Sequence, residues 1–126
     1  MWYDQERWKK RLGQEVAVME ERFPALVLRR RQDGTLWWEG IVVPIPDIMY
    51  RVAVIYPSTY PYVPPSLRLL DPQVERGAPH VYQDGSLCIH KKGSWNAATG
   101  TAASMVPLLA WWLFAYTLWR VTGEEF

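Results

Sequence analysis

The feature that most limits how this chain can fold is an uncharged segment that runs from Ser94 to Trp119. Within it, "MVPLLAWWLFAYTLW" is almost wholly apolar, and residues 101–119 are long enough to be a candidate transmembrane span. Pro107 interrupts the segment, and alanine, serine and threonine dilute its start. These interruptions favour a helix buried in a protein core, from about Thr101 to Arg120, and not a membrane anchor.

A helix that is apolar all round needs cover on both of its faces. A sheet can cover the larger face, which carries Met105, Leu108, Leu109, Trp112, Leu113, Tyr116 and Trp119. The other face carries Trp111, Phe114 and Leu118. Because a contiguous apolar patch is rarely left in water, this second face predicts a partner protein or a second copy of the chain.

The preceding residues supply a helix and a sheet. Residues 4–22 are predicted to form an amphipathic helix, since apolar residues recur every three or four positions, at Trp8, Leu12, Val16, Met19 and Phe23. Four apolar segments then have strand character, at residues 25–31, 36–43, 49–56 and 66–71. Asp33-Gly34 is a hairpin turn signal between the first two strands, and "PIPD" separates the second from the third.

Two loops complete the predicted fold. Residues 57–65 hold four prolines and are expected to form a rigid extended loop, and residues 71–100 a long irregular one. The whole is predicted to be a single α+β domain over residues 1–126. Its order is an N-terminal helix, a four-stranded antiparallel meander, an active-site loop and one long C-terminal helix.

The composition narrows the function classes. Fourteen basic residues face thirteen acidic ones, so the net charge of +1 gives no reason to expect a nucleic-acid partner. A single cysteine excludes an internal disulfide and fits a reducing compartment, and charges interrupt the N-terminus before a signal peptide could form. We therefore expect a cytoplasmic protein, and no cofactor is expected.

The stretch "APHVYQDGSLCIH", residues 78–90, concentrates the chemistry of the chain, because it holds the only cysteine, Cys88, and both histidines, His80 and His90. Four interpretations of Cys88 are open. It can be a buried structural residue, a metal ligand with the two histidines and a poorly suited Asp84, half of a hydrolytic cysteine–histidine dyad, or a carrier of an acyl group as a thioester. A metal site is disfavoured, since structural zinc requires four good ligands.

Two motifs select the last interpretation. "YPSTYPYVPP", residues 56–65, matches at every fixed position the proline-rich run that follows the third strand in ubiquitin-conjugating enzymes. "GSLC", residues 85–88, matches the segment that ends in their catalytic cysteine, and Pro79 falls at the family's preceding proline. The chain therefore resembles ubiquitin-conjugating enzymes over nearly all of its length, and most closely their compact bacterial branch.

The resemblance implies a function. Cys88 would accept a ubiquitin-like protein from an activating enzyme as a thioester and pass it to a nucleophile on a protein target, with lysine the expected acceptor. Bacterial relatives sit in operons with an activating enzyme, a ubiquitin-like protein and a metallopeptidase, several of which defend against phage. The alternative is a non-catalytic variant of the same fold that only binds a ubiquitin-like protein. Such variants lack the cysteine, which this chain retains.

The departures from the family pattern concern the site. The family's His-Pro-Asn is replaced by residues 78–80, so His80 stands at the asparagine position, where it can be a base, an oxyanion donor or a brace for the loop. Trp-Ser-Pro becomes Trp95-Asn96-Ala97. The family's last two helices are expected to be absent, and Glu124 and Glu125 are the acidic residues beyond the long helix. His90 is a weaker catalytic candidate, and Lys91 and Lys92 would favour the Cys88 thiolate if they fold back toward it.

Overall fold

The computed structural model describes residues 1–89 and 93–126. Its regular elements are helix α1 (Lys9–Arg22), strands β1 (Val27–Arg30), β2 (Leu36–Ile45), β3 (Ile48–Ile55) and β4 (Ser66–Asp71), and helix α2 (Ala102–Thr122). The strands form one antiparallel sheet in the order β1-β2-β3-β4. The predicted α+β meander, flanked by one helix on each side in the chain, is confirmed.

The first helix begins later than the sequence predicted. Residues Trp2–Asp4 and Glu6–Trp8 form two 3-10 turns, and α1 starts only at Lys9. The reason lies in the core: Trp2 is 1% exposed, and its ring lies 5.2 Å from that of Tyr56 and 4.8 Å from that of Tyr60. The tight turns fold the N-terminus back so that this indole reaches the sheet.

The second strand is longer than predicted. The proline of "PIPD" that was expected to end it, Pro44, lies inside β2, which continues to Ile45. Proline lacks the N–H that a strand donates, and the register between β2 and β3 shifts between Val42 and Ile45. The irregularity accommodates the proline, and the hairpin turns at Asp47, whose φ is 70°.

The core lies between the sheet and α2. Alternate residues of β3, with the residue that follows it, face this core, since Tyr50, Val52, Val54 and Tyr56 are each at most 1% exposed. Against them α2 packs its most buried side chains, which are Leu109, Trp112, Leu113 and Tyr116. Leu108, which the sequence placed on this face, is 40% exposed instead.

Helix α2 is well delimited. Thr101 is its N-cap and forms a capping box with Ser104, and Gly123 ends it with a left-handed φ of 76°. By length and composition α2 is a helix that could span a membrane, with a mean hydropathy of 1.3, but 56% of that window is buried inside the chain. Such burial is typical of a helix at the centre of a folded domain.

Candidate active site

Cys88 follows a small hairpin in the long loop between β4 and α2. Val81 pairs with Leu87 across the turn that contains Gly85, whose φ of 90° suits glycine. Leu87 N–H donates to the Leu67 carbonyl at 2.8 Å, which joins the hairpin to β4. The thiol is partly exposed. The fold thus places Cys88 at the surface, directly after Leu87, whose backbone is hydrogen-bonded to β4.

Hydrogen bonds to Asp84 shape the turn of this hairpin. Its Oδ1 atom accepts from Ser86 N–H at 2.9 Å and from Ser86 Oγ at 2.6 Å, and Arg68 donates to its carbonyl at 2.9 Å. The two bonds from Ser86 hold the pKa of Asp84 below its ordinary value. The ionised carboxylate therefore stabilises the turn above its ordinary pKa, and this contribution is lost as the pH falls through the lowered one.

His80 touches Cys88 through its backbone. The Cys88 N–H donates to the His80 carbonyl at 2.9 Å. The imidazole is turned to the C-terminal segment, where its Nε2 atom hydrogen-bonds the backbone oxygen of Phe126 and its ring lies 5.3 Å from the phenyl ring. Residue 80 has a left-handed φ of 57°, a conformation in which asparagine, aspartate and histidine are enriched. Histidine and the family's asparagine are thus conformationally interchangeable here.

Tyr82 is a site residue that the sequence did not single out. Its hydroxyl interacts with the Cys88 thiol, and this contact raises the pKa of Tyr82. The ring is 51% exposed, so the phenol stands at the surface beside the sulfur. The sequence signal was the Asp84-Gly85 turn. The hairpin closed there places Tyr82 opposite Ser86 and His80 opposite Cys88, which makes Tyr82 a diagonal neighbour of the cysteine. The phenol is a hydrogen-bond donor beside the Cys88 sulfur.

An open groove adjoins this pair. Its volume is about 560 Å³, and it lies between the end of the proline-rich loop and the hairpin. The lining residues are Val63, Pro64, Pro65, Ser66, Tyr82, Gln83, Asp84, Ser86 and Leu87. The groove is large enough to receive part of an extended polypeptide next to Cys88.

The proline-rich loop is not the extended segment that was predicted. It turns twice, with Tyr60 N–H donating to the Pro57 carbonyl at 3.1 Å and Tyr62 N–H to the Thr59 carbonyl at 3.0 Å. The turns carry Tyr60 into the interior, where its hydroxyl donates to Glu15. The prolines make the loop rigid, and the hydrogen bond from Tyr60 to the buried Glu15 carboxylate determines its path.

Glu15 holds the elements around the site together, although no sequence pattern pointed to it. The side chain is 1% exposed and accepts four hydrogen bonds. Tyr56 and Tyr60 hydroxyls donate at 2.8 Å each, Ala102 N–H at 2.8 Å and Arg11 Nε at 3.2 Å. One carboxylate thereby connects α1, the end of β3, the proline-rich loop and the start of α2.

Arg11 extends this network to the residues that follow Cys88. Its guanidinium donates to the carbonyls of Ala97 and Gly100 and to the Tyr60 hydroxyl. Trp95 closes the same segment, since its indole N–H donates to the Pro61 carbonyl at 2.7 Å. The loop on the far side of the cysteine is therefore anchored to α1 and to the proline-rich loop.

Some sequence predictions fall on residues 90–92. The roles suggested for His90, Lys91 and Lys92 lie outside the described residues. Over residues 1–89 and 93–126, the side chains form no group of three potential metal ligands. Glu124 and Glu125 are exposed at the end of α2.

The four-stranded meander, the proline-rich loop and the two helices form a ubiquitin-conjugating-enzyme fold, as the comparison with solved structures shows. Human ubiquitin-conjugating enzyme E2 G1 has a TM-score of 0.56 at 19% identity, covering 81% of this chain and 90% of that one. A ubiquitin-conjugating enzyme of Plasmodium falciparum scores 0.58 at 18% identity, covering 84% and 97%. The Vps23 UEV domain, solved with ubiquitin, scores 0.59 at 19% identity, covering 77% and 76%. At these identities the likeness shows the fold alone.

The sequence places the chain more narrowly. A family model described as "Type II CBASS E2 protein" matches residues 15–124, and the chain belongs to this family. The predicted relationship to bacterial ubiquitin-conjugating-like proteins is thereby confirmed.

Curated relatives point to the same class. "Ubiquitin-conjugating enzyme E2 6" of Eremothecium gossypii is 26% identical over 111 residues, which are 80% of this chain and 44% of that protein. The protein of the same name in Candida glabrata is 26% identical over 127 residues, 93% of this chain and 46% of its own length. The chain thus spans about half the length of the curated relatives it matches.

Proposed function

We propose that the chain is a conjugating enzyme of antiphage defence that carries a ubiquitin-like protein as a thioester on Cys88 and transfers it to a protein target in the cytoplasm. The observation that carries the proposal is the placement of Cys88: a partly exposed thiol at the end of a braced hairpin, in a chain of the type II CBASS E2 family. A protein-sized acyl group needs such access.

Loading is a transthioesterification, in which the acyl group moves from the sulfur of the activating enzyme to that of Cys88. The Cys88 thiolate attacks the carbonyl carbon of the ubiquitin-like protein's thioester on the activating enzyme. The new C–S bond forms as the bond to the activating enzyme's sulfur breaks, and that sulfur leaves as a thiolate. The incoming acyl group is already activated, so this step needs no strong base at the site.

Discharge of the thioester to a lysine requires more of the site than loading does. A lysine amine attacks the Cys88 thioester, an amide bond forms, and the Cys88 sulfur leaves as a thiolate. The amine must lose a proton to water, since at its reference pKa of about 10.4 only about one lysine in 2,500 is neutral at pH 7. In the proposed enzyme the Tyr82 hydroxyl donates to the developing oxyanion, and the groove beside it receives part of the target chain.

The second candidate function is a non-catalytic module that presents a ubiquitin-like protein. It draws support from the likeness to the Vps23 UEV domain, whose structure was solved in complex with ubiquitin. The retained cysteine and its exposure favour the enzyme. The two functions differ in one observable, a covalent bond between Cys88 and its partner.

The test can be carried out before the partner is identified. The affinity-tagged chain is recovered from its native host under denaturing, non-reducing conditions. A thioester carrier is expected to appear partly as a larger adduct that dithiothreitol removes, and mass spectrometry is expected to place a C-terminal carboxyl group on Cys88. Recovery of the chain as free thiol only, together with non-covalent capture of a ubiquitin-like protein, would support the second function.

Substitutions at His80 separate its backbone from its side chain. His80→Asn keeps a residue suited to the left-handed backbone, whereas His80→Gly keeps the backbone and removes the imidazole. In the proposed enzyme His80 braces the loop, so His80→Asn should discharge to free lysine near the parent rate, and His80→Gly about tenfold more slowly. Loading should be unchanged in both.

The pH dependence of the discharge rate shows whether His80 acts instead as a catalytic base. A catalytic base would make His80→Asn as slow as His80→Gly, and only the parent's discharge rate would rise with pH near neutrality, because an asparagine or a glycine side chain cannot accept the proton. Single-turnover discharge of the isolated thioester, measured over a range of pH, distinguishes the two roles.

Tyr82→Phe tests the proposed oxyanion donor. Removing the hydroxyl should slow discharge by about 100-fold, the usual cost of losing one such donor, while loading continues. Tyr62→Phe is the matched control, because Tyr62 is also exposed, at 61%, on the neighbouring loop. Equal discharge rates in parent and Tyr82→Phe would exclude the phenol from the reaction.

A further inference from the structure

Helix α2 leaves a regular apolar stripe in water. We call Trp111, Phe114, Leu118 and Val121 the α2 stripe; they are 58%, 42%, 45% and 81% exposed. Leu108, 40% exposed, flanks it. The stripe residues follow one another at spacings of three, four and three, as do the a and d positions of a heptad. This narrow pattern is the one by which a helix packs along one other helix.

Most of the stripe lies on an uncharged stretch of helix. From Thr101 to Trp119 the helix carries no charged residue, and the first one beyond, Arg120, faces Glu75 at 3.7 Å. Helices that lie in a membrane surface combine a wide apolar face with flanking lysines and arginines. The opposite side of α2 is instead buried in its own core. The stripe therefore suits an apolar protein surface better than a lipid one.

The positions of the stripe are self-complementary. If two copies of α2 are laid antiparallel with Phe114 opposite Phe114, Trp111 of each copy falls within one residue of direct opposition to Leu118 of the other. Val121 then falls opposite Pro107, which is also exposed. Each tryptophan then meets a smaller side chain, the two phenyl rings meet at the axis, and the same surface serves both subunits, as a two-fold axis requires. We infer that a second copy of this chain covers the α2 stripe, in an antiparallel dimer with its axis at Phe114.

The expected strength follows from the area. The stripe and Leu108 expose roughly 500 Å² of apolar surface, if an aromatic side chain offers about 200 Å² when fully exposed. A standard interface buries about 800 Å² on each partner. The stripe therefore forms most of a small interface, and we expect a dimer that dissociates on dilution. This inference is independent of the chemistry proposed for Cys88.

Sedimentation velocity measures the dimer directly. Across protein concentrations from about 1 to about 200 µM, the range over which a small interface dissociates, the mass should rise from one 14.7 kDa chain toward two. Trp111→Glu and Phe114→Glu should stay monomeric throughout. Met49→Glu, at a 65% exposed apolar residue on β3, should dimerise as the parent does.

Cross-linking tests the antiparallel register. In a Cys88→Ser background, Phe114→Cys should oxidise to a disulfide-linked dimer with itself. A mixture of Trp111→Cys and Leu118→Cys chains should cross-link between the two variants and hardly within either. Self-cross-linking of both Trp111→Cys and Leu118→Cys would indicate parallel helices and overturn the register.

Two outcomes would overturn the dimer itself. The first is a parent that remains monomeric at every concentration. The second is a monomeric parent that co-sediments with vesicles of phosphatidylcholine and phosphatidylglycerol, when Trp111→Glu does not. That result would assign the α2 stripe to a lipid surface.

Discussion

Replacing Cys88 by alanine is expected to abolish the thiol-cleavable adduct completely, because the proposed chemistry needs a sulfur nucleophile and the sequence supplies no other cysteine. The expected loss exceeds about 1,000-fold and is limited by detection, because removal of a catalytic nucleophile in other enzymes costs as much or more. The measurement compares tagged parent and variant, recovered from the native host under denaturing, non-reducing conditions.

Two further variants turn that loss into positive evidence. Cys88→Ser should give an oxyester that resists dithiothreitol, because an oxygen ester does not exchange with thiols as a thioester does. Cys88→Lys should give an amide that survives both thiol and hydroxylamine. Gln83→Ala, an exposed change in the same hairpin, is the control and should load as the parent does. A thiol-cleavable adduct that persists in Cys88→Ala would show that Cys88 is not the residue that carries the thioester.

Loss of the Glu15 carboxylate is expected to have the largest effect on stability. Glu15→Ala leaves Arg11, 10% exposed at its side chain, as an uncompensated buried charge and removes the acceptor of two tyrosine hydroxyls and of Ala102 N–H. Breaking a buried ion pair from one side costs about 3–5 kcal/mol of unfolding free energy. Denaturant titration of parent and variant measures this difference.

Two control variants distinguish the loss of the buried Arg11–Glu15 ion pair from the loss of any carboxylate. Glu6→Gln removes a carboxylate that also faces a cation, Lys9, but is 89% exposed, and it should leave the unfolding midpoint nearly unchanged. The double variant Arg11→Met with Glu15→Met should recover part of the lost stability, since a buried pair is often replaceable by apolar side chains. A Glu15→Ala variant as stable as the parent would refute the structural role given to this carboxylate.

Local sequence patterns were sufficient to predict the bounds of elements whose side chains meet the same kind of environment throughout their length. The fourth strand was predicted at residues 66–71, which are its observed bounds, and the last helix, predicted from about Thr101 to Arg120, runs from Ala102 to Thr122. They failed where one side chain reaches a distant partner. The course of the N-terminus depends on Trp2 entering the core, and a lone glutamate in a helix looks like a solvent-exposed residue until Tyr56 and Tyr60 are placed around it.

The candidate site shows the same division. The position of Cys88 and the turn at Asp84-Gly85 follow from motif and turn chemistry. The approach of Tyr82 to the thiol depends on the hairpin's register, which spacing alone does not determine. The direction of the His80 imidazole depends on Phe126, a contact between residues far apart in sequence.

The left-handed backbone at His80 has an evolutionary consequence. The carbonyl that receives Cys88 N–H is placed by the conformation of residue 80, so the first requirement on this position is a tolerated φ of 57°, and the brace made by its side chain comes second. Asparagine and histidine both tolerate that angle, and their codons differ by one base. A lineage can therefore exchange an amide for an imidazole next to Cys88 in a single mutational step, without first passing through a misfolded loop.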